Sequence, residues 1–158
     1  MKKYEFTGET KKIDYENIIV RRIRAVISFG NINAGDLGGW IEKGENLSQE
    51  NNAWVCGDAN VYGNAKVCGN AKVCGNAEVC GNAKVLQSSH LLVIGPGNRN
   101  DFTTFFRDKD NKITVKCGCF IGNIDEFLKM VQETCVDNKY ALIHRKAAEI
   151  AKLQIEND

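Results

Sequence analysis

The residues from Asn52 to Gln87 repeat with a strict six-residue period, NAWVCG, DANVYG, NAKVCG, NAKVCG, NAEVCG, NAKVLQ, and nothing else in the chain constrains its fold as strongly. Alanine stands at 53, 59, 65, 71, 77 and 83, and valine two places later at 55, 61, 67, 73, 79 and 85. Two apolar positions separated by one variable residue are the alternation of a short strand with one face in a core. Gly followed by Asn or Asp closes every unit but the last. Gly tolerates positive φ, and Asn and Asp visit that region more readily than other residues, so the chain turns at each unit boundary. A strand this short cannot bury its face alone and must stack on its own copies. Three units per turn place residues 18 apart above one another, at about 4.8 Å. The six units then make two regular coils. A helix fits poorly, because Gly at every sixth position costs about 1 kcal/mol each and no 3.6-residue stripe is present.

Stepping back by six from Ala53 lands on Leu47 and Ile41, which extends the alanine register into LGGWIEKGENLSQENNAWV and predicts a wider, irregular coil before the regular pair. A stack of strands has open edges that recruit other chains unless covered. Residues 1–36 supply a β cap, with strands expected at Tyr4–Thr7 and Ile18–Ile27; residues 37–90 form the repeat region; residues 91–158 form an α+β element. In the last of these, HLLVIGPGNRND reads as a strand and a turn on the only proline, Pro96, followed by a hairpin of Phe102–Arg107 and Ile113–Phe120 around DKDNK. Two helices follow. The first has the apolar stripe Ile124, Phe127, Leu128, Val131 and Cys135, with Asn123 as N-cap and Glu126 three residues on. The second begins after Asn138, with Tyr140, Ile143, Ala147 and Ile150 on one side. The fold class is mainly β, a short parallel β-helix with an N-terminal β cap and a C-terminal α+β element.

Composition narrows the function. Across 158 residues Lys plus Arg is 21 and Asp plus Glu is 20, a net charge of +1 that disfavours bulk-electrostatic binding to nucleic acid or anionic membranes. No window approaches the roughly 18 apolar residues of a membrane span, and MKKYEFTGETKK turns polar before a leader could form, so a cytoplasmic protein is expected. Seven cysteines without a secretory signal read as reduced thiols.

The hexads resemble the hexapeptide-repeat, left-handed parallel β-helix superfamily, with Cys or Tyr where that pattern commonly carries Gly and with Gly one place later. The left-handed sense is what the resemblance implies. The chain also resembles uncharacterised phage and prophage proteins with GNA repeats, through RRIRAVISFGNINAGDLGGWIEKGENLSQ, the repeat block, and DFTTFFRDKDNKITVKCGCFIGNIDEF. Such a resemblance implies self-association, as a trimer in many of the superfamily. It also implies a binding role for a mobile-element protein: an anti-defence inhibitor, either anti-CRISPR-like and directed at a host protein, or a sponge for a nucleotide signal. No cofactor is called for in that reading.

Many hexapeptide-repeat proteins are instead acyltransferases using coenzyme A, with a histidine as general base. Here His90, directly after the repeats, is the candidate, since its chemistry suits that role; a partly exposed structural histidine is the plainer alternative. A purely structural scaffold is the third reading. Cys117 and Cys119, on one side of a strand, with Cys135 and His144 could make a Cys3His zinc site, against the plainer reading of buried thiols. Cys56, Cys68, Cys74 and Cys80 occupy the outward position after the valine, equivalent to Tyr62 and Leu86, with Cys56 under Cys74, so this corner is semi-apolar and suited to a subunit contact. Trp54 sits where other units carry Asn or a charge, which suggests an interface anchor or a Trp under the cap. Lys11, Lys12, Arg21, Arg22 and Arg24 form one basic cluster. Arg99 and Arg107, interleaved with Phe102, Phe105 and Phe106, form a second that could stack a nucleotide or single-stranded nucleic acid. Binding is thus assigned to Trp54, Tyr62, Arg99 and Arg107.

Overall fold

The computed structural model describes residues 2–13, 17–97, 99–134 and 138–156. The chain enters through β1 (Tyr4–Ile13) and β2 (Ile18–Ala25), an antiparallel pair, and β2 lies antiparallel on β3 (Leu37–Ile41). Both strands start where expected, but β1 runs to Ile13, six residues past the expected Thr7, and β2 ends at Ala25, two residues short of Ile27. β2 covers the free edge of β3, as expected of a cap. β3 carries two glycines because neighbours sit directly on its backbone: a Cβ at Gly38 would lie 2.6 Å from the Ile23 side chain and 2.7 Å from Trp54.

The hexads then give six two-residue strands, β4 (Trp54–Val55), β5 (Asn60–Val61), β6 (Lys66–Val67), β7 (Lys72–Val73), β8 (Glu78–Val79) and β9 (Lys84–Val85). Gly57, Gly63, Gly69, Gly75 and Gly81 stand between them with φ from 61° to 69°, a left-handed conformation that costs an L side chain roughly 1–2 kcal/mol. Pairing is parallel at a separation of 18: Val55 with Val73, Val61 with Val79, Val67 with Val85. All six alanines and six valines of the repeats are at most 2% exposed and form one core with Ile41 and Leu47.

The preceding coil is wider, but its register differs from the expected one. Ile41 pairs with Val61 and Leu47 with Val67, a separation of 20, so these residues continue the valine ladders and not the alanine positions. The two extra residues lie in the segment after Leu47. Asn46 holds this coil in place, its Nδ2 donating to the carbonyls of Gly63 and Ala65.

At the other end, β10 (Leu91–Ile94), β11 (Thr103–Arg107), β12 (Ile113–Cys117) and β13 (Phe120–Asn123) form an antiparallel sheet in chain order. It meets the hexads through Thr104, which accepts from the Glu78 N–H, and through the bridge of Ala83 with Asp108. Phe105 and Phe106 point to opposite faces, Phe106 into the hexad core and Phe105 into a second core under the helices. The expected second strand of the hairpin breaks at Gly118 (φ 57°). Cys117 and Cys119 are therefore parted by a turn, with Cys119 exposed, and do not share a strand face.

Helix α1 (Ile124–Thr134) is opened by the expected capping box: Glu126 N–H donates to Asn123 Oδ1, and Asn123 N–H to Glu126 Oε1. Ile124, Phe127 and Val131 are buried as the stripe requires; Cys135 lies outside the described residues. In α2 (Lys139–Ala151), capped by Asn138, the inward face is Ala141, His144, Ala147, Ala148 and Ala151. Ile143 and Ile150 are exposed, which corrects the expected face. Small alanines let α2 approach the sheet closely, and His144 finds polar partners inside that the larger aliphatics could not use. The protein is thus mainly β, with several sheets and C-terminal helices, and no closed barrel among the described residues.

Candidate functional site

The residues singled out from the sequence fall into three environments. Trp54 is 1% exposed and sits under the cap, edge-on to Phe29 at 5.3 Å and to Tyr4 at 6.4 Å between ring centres. Tyr62 is packed with Ile13, Val20 and Cys80, and its hydroxyl donates to Glu78 Oε1 at 2.5 Å; burial, then Cys80 and Glu78, push its pKa above the usual phenol range. Neither side chain reaches the surface of this chain. The corner expected to await a neighbouring subunit is covered at Tyr62 and Cys80 by β1 and β2. Cys56 and Cys74 are joined in a disulfide, because stacked strands hold their Cα atoms 4.5 Å apart, within bridging range. The expectation of reduced thiols therefore fails for this pair.

Two of the five residues of the cap's basic cluster are ion-paired locally. Arg22 pairs with Glu9 and Arg24 with Glu5, while Lys11 and Arg22 both lie against the Trp40 ring. The Phe105 and Phe106 rings are buried and unavailable to stack a base.

His90 closes a single helical turn, Ser88–His90, and is 2% exposed. Its Nδ1 accepts from the Leu86 N–H at 3.2 Å, and its Nε2 lies 2.9 Å from Arg107 Nη1 and 3.3 Å from Gln87 Nε2. The Leu86 N–H and the Arg107 guanidinium both only donate and a neutral imidazole has one acceptor nitrogen, so the ring accepts from one of the two while lying buried between them. Arg107 thus packs against His90, whose ring is almost wholly buried in this chain.

Arg99, Cys117, Cys119 and His144 instead line one cavity of about 360 Å³, floored by Phe120, Phe127, Met130 and Val131. His144 is set by two contacts. A carbonyl only accepts, so Nδ1 donates to Tyr140 O at 2.5 Å and Nε2 is left as the acceptor toward Thr103 Oγ1 at 3.4 Å. The same hydroxyl donates to Cys117 Sγ at 3.1 Å, and that sulfur also lies 3.9 Å from Asp101 Oδ2. Thr103 and Asp101 carry no spacing signal in the sequence; only the β11–β12 register brings them in. No cluster of three or more His, Cys, Asp or Glu side chains suited to a metal occurs among the described residues, and Cys135 is not among them.

A second concavity, about 500 Å³, lies along the hexads, lined by Lys43, Lys66, Lys84 and Lys109 with Glu45 and Asn82. Lys66 and Lys84 are directly paired in adjacent parallel strands, where like charges repel. Lys109 is brought over by its N–H bond to Asn82 O. Glu42, close by, is used by the Gly63 N–H at 2.9 Å. The ion pairs among the described residues involve none of these four lysines. The signal was present in the sequence: counting by 18 through the position between Ala and Val sets Lys66 beneath Lys84.

No family model matches the chain. It is 34% identical over 61 residues to a protein of Escherichia coli (strain K12) named "Uncharacterized acetyltransferase YdcK"; the match covers 35% of this chain and 19% of that protein. The chain thus spans about a fifth of the length of the curated relative it matches. This similarity points toward hexapeptide-repeat proteins. No helix of the described residues is long and apolar enough to cross a membrane.

Proposed function

We propose that the three parallel ladders are the faces of a short β-helix of the hexapeptide-repeat type, and that the protein binds a phosphate-bearing ligand in its lysine groove without transforming it. One observation carries this reading: four lysines converge on a groove with a single carboxylate, Glu45, among its lining residues, and two of them are stacked in register. Such an arrangement repels itself when empty and is relieved by an anion. The burial of His90 against Arg107 supports binding over catalysis. A nucleotide signal held in this way is one form of the anti-defence role suggested for a phage-type protein; capture of a host effector is the other. Self-association belongs to the proposal, with Leu142, Ile143, Ile150 and Leu153 as exposed apolar surface on the C-terminal helix; sedimentation velocity reads the number of subunits.

The test is calorimetric titration with a nucleoside triphosphate and with coenzyme A at low and high salt. Binding that weakens with salt and is lost in Lys66→Glu/Lys84→Glu, with the ligand recovered unchanged, is the expected result. Absence of binding, or binding indifferent to the double substitution, overturns it. The second reading, a coenzyme A-dependent acyltransferase, is favoured by the similarity to the Escherichia coli protein; it requires a base other than His90.

A further inference from the structure

We propose that Cys117 is a nucleophilic thiol that accepts an acyl group from a thioester, its proton carried by Thr103 to His144. The cavity that holds it shares no residue with the lysine groove, so the proposal stands apart from the ligand assigned there.

The geometry gives a chain of three groups, Cys117 Sγ, Thr103 Oγ1 and His144 Nε2, with steps of 3.1 and 3.4 Å. Its direction is reversible. At rest the Thr103 hydroxyl donates to Cys117 Sγ and the thiol donates to Asp101 Oδ2; for transfer the hydroxyl turns to Nε2, which the Tyr140 carbonyl has fixed as the acceptor, and the S–H turns to the Thr103 oxygen. With the proton moved, imidazolium Nε2–H donates to the same oxygen and the hydroxyl turns to donate to the thiolate. In the transferred state the imidazolium, the hydroxyl and the thiolate each have a partner. Thr103 is 1% exposed and His144 6%, which keeps water out of the relay, while Cys117 is partly open to the cavity. Asp101 Oδ2, at 3.9 Å, accepts the S–H in the resting state and must release it before the proton can pass to Thr103.

The cavity chooses the electrophile. Its floor of Phe120, Phe127, Met130 and Val131 suits an aliphatic chain, and Arg99 at its exposed rim suits an anionic carrier. A thiol beside an apolar pocket with a cationic rim matches an acyl thioester on an anionic carrier. In the step, Cys117 Sγ bonds to the carbonyl carbon as its proton passes through Thr103 to His144. The bond from that carbon to the carrier sulfur then breaks, and the departing thiolate takes the proton back. The products are acyl-Cys117 and the carrier thiol; nothing is oxidised or reduced.

The full chain is incubated with octanoyl-coenzyme A and the acylated peptides are mapped by mass spectrometry. Cys119, two residues away and exposed, is the internal control. One hydroxylamine-labile octanoyl group on Cys117, formed about a hundredfold faster than on Cys119, is expected for an assisted thiol. Cys117→Ser abolishes it, Thr103→Val removes the rate advantage, and Thr103→Ser restores it. Because Thr103→Val disturbs a buried position, the rate of Cys117 alkylation by iodoacetamide is also followed against pH in the unmodified protein: Cys117 should outpace Cys119 from neutral pH downward. Acylation that favours Cys119, equal rates for the two thiols, or no acylation at all overturns the proposal.

Discussion

Three glycines with the same local sequence, Gly57, Gly69 and Gly75, each follow a Val-Cys and precede Asn or Asp, yet their replacement by alanine should carry three different costs. All have φ between 62° and 69°. The left-handed conformation alone is worth roughly 1–2 kcal/mol against a Cβ, partly offset by the lower entropy of the unfolded chain, so about 1 kcal/mol is the shared part. At Gly75 nothing lies within 4 Å of the added carbon, and about 1 kcal/mol is the whole effect. At Gly57 the carbon meets the backbone nitrogen of Gly75 at 3.2 Å, so one coil must shift slightly against the next; about 2 kcal/mol follows, from the lower end of the overpacking range. At Gly69 it lies 2.4 Å from the Leu86 carbonyl oxygen, a backbone atom that cannot rotate away; here about 4 kcal/mol is expected, from the upper end of that range. Gly63, with Gly81 N at 3.2 Å, should match Gly57 within about 0.5 kcal/mol. Urea denaturation followed by circular dichroism, with the disulfide intact, measures all four. Equal costs, or Gly75→Ala costing as much as Gly69→Ala, would refute the 18-residue stacking from which the order is derived.

Trp54→Ala should destabilise the fold by about 3–5 kcal/mol while leaving groove binding unchanged, since the ring fills the space under the cap; thermal denaturation and calorimetry read the two effects separately. Cys74→Ser opens a link between residues 18 apart and should cost about 3 kcal/mol, an effect that prior reduction of the unmodified protein abolishes. Asn123→Ala removes the capping box of α1 and should cost about 1 kcal/mol by urea denaturation. Stability should also pass through a maximum near pH 10. Burial lowers the Lys3 ammonium from 10.5 to about 8, so between those values the unfolded chain binds more protons and stability rises with pH, by on the order of 1–2 kcal/mol after allowance for screening and for the carbonyls around the amine. Burial, with Glu45 nearby, raises Tyr4 from 10.0 to about 12, and that contribution is lost as pH climbs from 10 to 12. Lys3→Met should flatten most of the rise below pH 10, leaving the smaller part from Lys11, whose pKa burial also lowers, and a monotonic profile in the unmodified protein would contradict the assignment.

The hexads were legible because their apolar pattern has only one way to be buried. Ala-x-Val with a Gly corner specifies strand, face and turn together, and each copy repeats the instruction. Where the copies become imperfect the reading slipped: six-residue counting put Ile41 and Leu47 on the alanine positions, whereas their larger side chains fill the valine ladders once two extra residues are taken up after Leu47. Outward positions were harder for a related reason. Alternation says that Trp54 and Tyr62 leave the hexad core, but it cannot say that β1, β2 and Phe29 arrive from elsewhere in the chain to cover them.

The same limit separates the two histidines. Each stood out as the only titratable group of its kind in its segment, and His90 drew attention through its place beside the repeats. What decides the role of an imidazole is whether a ring nitrogen is left facing a site, and that depends on contacts distant in sequence. Arg107, 17 residues on, closes one side of His90 while the Leu86 N–H closes the other. At His144 the fourth residue back, Tyr140, fixes the tautomer, and Thr103, 41 residues away, turns the free nitrogen toward Cys117. A four-residue helical spacing can be read from a sequence. The 41-residue contact exists only because β11 and β12 pair with Thr103 opposite Cys117 and α2 lays its alanine face against them. The chemistry of the cavity is therefore a product of that register: a slip of one residue in the β11–β12 pairing would carry Cys117 to the opposite face and leave His144 beside Thr103 alone.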